Sequence, residues 1–84
     1  MRKIINGKMY NTETATLICN REKREGCNWY IGQVYKKNTG EYFLYEYDPC
    51  MEWITPLSKE DAKQWIEIRG TVEEYIAEFG EPEE

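Results

Sequence analysis

Trp29-Tyr30-Ile31-Gly32-Gln33-Val34-Tyr35-Lys36-Lys37-Asn38-Thr39-Gly40-Glu41-Tyr42-Phe43-Leu44-Tyr45-Glu46-Tyr47 reads as a single β-hairpin. Aromatic and β-branched residues, which suit a pleated and half-buried surface, lie on both sides of Lys37-Asn38-Thr39-Gly40, whose residues suit a turn. With those four residues as the loop, Lys36 is expected opposite Glu41, Tyr35 opposite Tyr42, Val34 opposite Phe43, Gln33 opposite Leu44, Gly32 opposite Tyr45 and Tyr30 opposite Tyr47. Alternation along the strands then places Tyr30, Gly32, Val34, Phe43, Tyr45 and Tyr47 on one face, expected to be core. Trp29, Ile31, Gln33, Tyr35, Tyr42, Leu44 and Glu46 share the other. That second face mixes tyrosines with polar groups, as a solvent-facing sheet or a protein-binding patch would. A loop one residue longer or shorter would reshuffle both sets.

Upstream, Lys3-Ile4-Ile5-Asn6-Gly7-Lys8-Met9-Tyr10 is a miniature hairpin signal, because Asn-Gly readily adopts the positive φ of a type I′ turn. Asn11 to Ala15 has the makings of one helical turn, and Thr16-Leu17-Ile18-Cys19 favours a strand beside the main hairpin. Asn20 to Asn28 is expected to be a mixed-charge connection or strand end whose signs cancel. Downstream, Asp48-Pro49-Cys50-Met51-Glu52 is a turn, and Trp53-Ile54-Thr55 a last extended segment closed by Pro56.

Past Pro56 the apolar period changes from two to 3.6. Ser58 is a strong N-cap with acids behind it, and Ala62, Trp65, Ile66 and Arg69 form one stripe ending at Gly70. Thr71-Val72-Glu73-Glu74 reads as a capping box, Val72, Tyr75, Ile76 and Phe79 as an apolar stripe, and Gly80 as the stop. Glu73, Glu74 and Glu78 are expected to point away from that stripe. The fold class is therefore α+β: one domain over residues 1–84, a small antiparallel sheet centred on the hairpin, and two short C-terminal helices packed on one side.

Eighty-four residues need a compact core, and three tryptophans, seven tyrosines and two phenylalanines supply one. No apolar run is long enough for export or for crossing a bilayer, so a soluble, cytoplasmic protein is expected. Residues 1–56 carry a net +1 and residues 57–84 a net −6. The acidic C-terminal third disfavours direct nucleic-acid binding and favours a protein partner with a basic surface.

Cys19, Cys27 and Cys50 lack the short Cys-x-x-Cys step of zinc sites, and there is no histidine; free thiols are expected, with no metal and no cofactor. No nucleophile sits beside a base, no glycine-rich loop cradles phosphate, and adjacent carboxylates on an exposed helix face are ordinarily hydrated, so an enzyme is not expected.

Three stretches, Lys3-Ile4-Ile5-Asn6-Gly7-Lys8-Met9-Tyr10-Asn11-Thr12-Glu13-Thr14-Ala15, Tyr35 to Tyr45, and Pro56 to Trp65, resemble a family of small acidic proteins carried by mobile elements of Gram-positive bacteria. The likeness spans most of the chain, with a shorter segment from Glu46 to Thr55 where that pattern has a glycine-rich insert. Proteins of this size and setting include anti-CRISPR inhibitors. The resemblance thus implies non-covalent inhibition of a CRISPR effector, most directly the RNA-guided nuclease of a type II system. The alternative is a non-enzymatic interaction or regulatory module of the mobile element. Tyr35, Tyr42, Leu44 and Glu46 on the sheet, with Glu73, Glu74 and Glu78 on the last helix, are the candidate partner-binding residues.

Overall fold

A computed structural model describes residues 1–82. The elements in chain order are β1 (Arg2–Ile5), β2 (Lys8–Asn11), β3 (Thr16–Glu25), β4 (Asn28–Lys36), β5 (Tyr42–Tyr47), β6 (Glu52–Leu57), α1 (Lys59–Arg69) and α2 (Val72–Phe79). β3-β4-β5-β6 form an antiparallel meander, and β1-β2 a separate two-stranded ribbon. The α+β architecture and the two C-terminal helices match the sequence expectation.

The local punctuation follows the residues that specify it. Asn6 and Gly7 take φ of 51° and 76°, the type I′ signature, and close the ribbon. Asn11 caps the following turn, its side chain accepting from the Glu13 amide at 2.9 Å. Ser58 accepts from the Asp61 amide, and Thr71 and Glu74 complete a reciprocal capping box, satisfying helix-terminal N–H groups that would otherwise be orphaned.

The hairpin register differs from the expected one by a single residue. Lys36 pairs with Tyr42, Tyr35 with Phe43, Val34 with Leu44, Gln33 with Tyr45, Gly32 with Glu46 and Ile31 with Tyr47. The cause is the turn. The Lys37 amide donates to the Glu41 carbonyl at 2.7 Å and the Gly40 amide to the Lys37 carbonyl at 2.9 Å, so Lys37 and Glu41 close the strands and only Asn38-Thr39-Gly40 loop out. Gly40, at φ 93°, supplies the positive φ that a three-residue hairpin loop needs. Because the side-chain period is two, this slip exchanges the faces of every β5 residue relative to β4.

Gly32, Val34, Tyr42, Leu44 and Glu46 therefore share one face, and Trp29, Ile31, Tyr35, Phe43, Tyr45 and Tyr47 the other. Both faces are used as core. On the first, Cys19, Val34, Tyr42 and Leu44 pack against Ala62, Trp65 and Ile66, with Tyr75 and Phe79 at the margin. On the second, the β1-β2 ribbon lays Tyr10, Ile5 and Met1 over Phe43, Ile54, Tyr35 and Tyr45. Phe43 is wholly buried, with Tyr10 edge-on at 5.5 Å and Tyr35 stacked at 5.3 Å. Tyr30 and Tyr47, expected opposite one another, lie on different faces.

Two further differences concern strand length. β3 runs through the charged Arg21–Glu25 segment as an edge strand, where charged side chains protect an open edge from pairing with another chain. A register shift between Leu17 and Cys19 turns both Ile18 and Cys19 toward the helical core, as a bulge does. β6 likewise continues through Pro56 to Leu57; it is the opposite edge, where a proline, lacking its N–H, is tolerated.

Candidate partner-binding surface

Tyr42 and Leu44, expected on an open face, are 6% and 7% exposed and belong to the helix-covered core. This correction follows from the one-residue register slip. Tyr42 is fastened there: its hydroxyl donates to the Glu78 carboxylate, and Lys36 Nζ lies 2.9 Å from the same carboxylate. Burial, reinforced by Glu78, pushes the Tyr42 phenol up to about 12. Tyr35 sits on the opposite face, half-buried on Phe43, its hydroxyl donating to Gln33 Oε1 at 2.9 Å. Burial also raises its pKa.

Glu46 is committed as well. One carboxylate oxygen accepts from the Trp53 indole N–H at 2.9 Å and the other from the Tyr30 hydroxyl. Burial and this acceptor hold the Tyr30 phenol well above its ordinary range.

The three glutamates of α2 separate into different roles. Glu74 accepts from Arg21, the Thr71 amide at 2.8 Å, and forms the capping box. Its burial disfavours ionisation, but the Thr71 backbone and hydroxyl, together with Arg21, outweigh that and hold its carboxyl below the ordinary value. Arg21 also donates to the Arg69 carbonyl, tying β3 to the junction of the two helices. Glu78 is only 11% exposed at its side chain. Of the three, Glu73 alone is exposed and enters no ion pair among the described residues. The seven candidate residues thus do not form one patch.

The helical side nevertheless offers a surface of its own. Between α1 and α2 lies a groove of about 240 Å³ lined by Ile66, Gly70, Val72, Tyr75, Ile76 and Pro82, with Glu67 at its border. Val72 is 69% exposed, although the helical stripe places it with the buried residues; it is the first residue of α2 and overhangs the groove instead of entering the core. Glu60, Asp61 and Glu67 on α1, Glu73 on α2 and Glu81 just after it are exposed, and none has a cationic partner among the described residues. The sequence signal for the groove is the pair of helices meeting at Gly70-Thr71, with apolar Ile66 before the junction and Val72 and Ile76 after it.

A wider hollow of about 570 Å³ is bordered by Tyr10, Lys36, Glu41, Tyr42, Ser58 and Lys59. Its charges largely cancel: Lys36 faces Glu78, and Glu41 faces Lys8 at 3.0 Å. The Lys8 contact and the Thr39 hydroxyl hold Glu41 below its ordinary pKa.

Among the described residues, no three His, Cys, Asp or Glu side chains converge as metal ligands, and no helix is long and apolar enough to cross a membrane. Comparison with protein-family models, curated proteins and solved structures finds no match.

Proposed function

We propose that this protein is an anti-CRISPR inhibitor, acting in the cytoplasm by direct, non-covalent binding to an RNA-guided type II effector nuclease so as to block DNA binding or cleavage. The observation that carries the reading is the apolar groove between α1 and α2 with Glu67 on its border, on helices whose Glu60, Asp61 and Glu73 are also exposed and have no cationic partner among the described residues. Carboxylates steer the protein toward a basic channel shaped for phosphates, and an apolar groove supplies the contact area that slows dissociation. The family resemblance supports the choice of target. No catalytic group is needed in this mechanism, and the protein works as a binding module.

The test is a DNA cleavage assay over a panel of type II effectors, with and without micromolar protein, alongside gel filtration of the mixtures. Inhibition with a co-eluting complex is expected, and its association should slow as salt rises. Glu67→Lys with Glu73→Lys should reduce the association rate, and Val72→Asp should speed dissociation. Absence of both inhibition and complex across the panel rejects this reading, leaving the regulatory module of a mobile element as the better account.

A further inference from the structure

We infer that the sheet face opposite the helices is a self-association surface, on which a second copy of this chain packs sheet against sheet. The β1-β2 ribbon covers only part of that face, around Phe43 and Ile54. Beyond it, Trp29, Ile31, Tyr45 and Tyr47 are only partly buried and form a continuous patch: Trp29 stands edge-on to Tyr47 at 5.7 Å, and Tyr45 leans on Tyr47 at 5.0 Å. Trp29, Ile31 and Tyr47 belong to neither core cluster, and Tyr45 meets the ribbon-side core at the inner border of the patch.

The overall dimensions agree with an uncovered layer. The Cα extents are 41 × 37 × 18 Å, a slab of one sheet and one helix layer with the ribbon over only part of the other face. The radius of gyration is 13.3 Å, against about 12 Å for a compact domain of this length. The accessible surface is 5907 Å², roughly 600 Å² more than the scaling for folded monomers of this mass gives.

Charge selects a second copy as the occupant. A net charge of −5 opposes association in general, but Glu60, Asp61, Glu67 and Glu73 belong to the two helices, which pack on the other face of the sheet from this patch. Screening at physiological salt acts over about 8 Å. The patch is bordered by both signs instead: Arg24 with Glu22, and Glu52, whose carboxylate takes the Tyr45 hydroxyl at 2.6 Å. Under a two-fold axis each copy can set Arg24 against its partner's Glu52, the self-complementarity that an isologous dimer requires. Such a dimer turns both acidic helical sides outward, so it is compatible with the proposed inhibitor but does not depend on it.

Sedimentation velocity of the full chain over about 1 to 300 µM tests the inference, with circular dichroism to verify folding. A species of twice the 10.1 kDa chain mass is expected to grow with concentration. Trp29→Glu and, separately, Ile31→Glu should each shift the midpoint at least tenfold to higher concentration while the spectrum stays folded. Val72→Asp, on the helical side, should leave it unchanged. A parent that stays monomeric throughout overturns the inference, as does a dimer insensitive to both folded face variants or one broken by Val72→Asp.

Discussion

The indole of Trp65 lies directly against the backbone of Gly32: a Cβ added at Gly32 would fall 3.0 Å from Trp65 Cζ2 and 2.6 Å from the Tyr30 hydroxyl oxygen. The glycine in mid-strand is thus the floor on which α1 packs. Removing this chain's most flexible residue from the unfolded state favours Gly32→Ala by about 0.4–1 kcal/mol, but the buried indole and the Tyr30 hydroxyl held by Glu46 must both give way. Overpacking of that kind costs about 1–3 kcal/mol, so Gly32→Ala should lower the urea midpoint. Trp65→Ala should cost about 3–5 kcal/mol. A parent-like midpoint for both would detach α1 from the sheet.

Glu74 joins the helix cap to the Arg21 ion pair, and two substitutions separate those roles. Glu74→Gln keeps a side chain able to complete the capping box and removes the charge, whereas Glu74→Ala removes both. At neutral pH the first should cost under about 1 kcal/mol, as for a partly exposed pair, and the second about 1 kcal/mol more. The folded pKa is depressed below 4.5, so the charge contribution is complete above pH 4.5 and disappears as pH falls through the folded value. Thermal melts from pH 7 to 3 should show the Gln variant converging on the parent in acid. A constant gap would assign the effect to packing.

Alkaline stability should be governed by the buried tyrosines. The Tyr42 phenol moves from 10.0 to about 12 on folding. The folded state therefore retains its proton where the unfolded state has released it. The stability tied to this proton is complete below pH 10 and lost as pH rises from 10 to 12. Tyr30 and Tyr45 shift in the same direction, mainly through burial and then through Glu46 and Glu52. Tyr42→Phe should cost about 1 kcal/mol at pH 7 through the lost hydrogen bond to Glu78, and that gap should narrow through the alkaline window. Parallel melting profiles from pH 7 to 12 would contradict the linkage.

The three thiols should behave unequally. Cys27 and Cys50 are exposed, while Cys19 is buried, with burial and then the nearby Glu74 raising it to about 11. Since the thiolate is the reactive form, a native thiol titration should modify two cysteines and reach the third only in denaturant. Elemental analysis should find no stoichiometric zinc, and a chelator should leave the melting curve unaltered. Zinc lost together with the fold on Cys27→Ser would make the cysteines structural ligands.

Much of the order along the chain was legible from single residues. Asn6-Gly7 could form its turn from backbone preference alone, and Ser58 and Thr71 announce helix starts because their oxygens sit where free amides need acceptors. The α1 stripe of Ala62, Trp65 and Ile66 is buried as its spacing requires. The charged end of β3 was not legible: Arg21–Glu25 becomes a strand through its ladder to β4, an interaction that interleaved charges do not advertise.

By itself, then, the sequence determined where the Asn6-Gly7 turn and the two helix caps fall, that the chain is α+β, and that its acids gather in the last third. It could not determine the sheet register, because the hairpin carries large apolar residues at both parities, and moving Phe43, Tyr45 and Tyr47 to either face looks equally acceptable until something covers that face. The tertiary structure decided it. α1 and α2 claim Val34, Tyr42 and Leu44, the β1-β2 ribbon claims Phe43, and Gly40 absorbs the shift at the turn. The same docking drew Glu74 and Glu78 into contacts with Arg21, Tyr42 and Lys36 and left Glu67, Val72 and Glu73 outside. Which residues can meet a partner follows from how the helices cover one face of the sheet and the ribbon part of the other, and alternation within a strand carries no information about what lies on top of it.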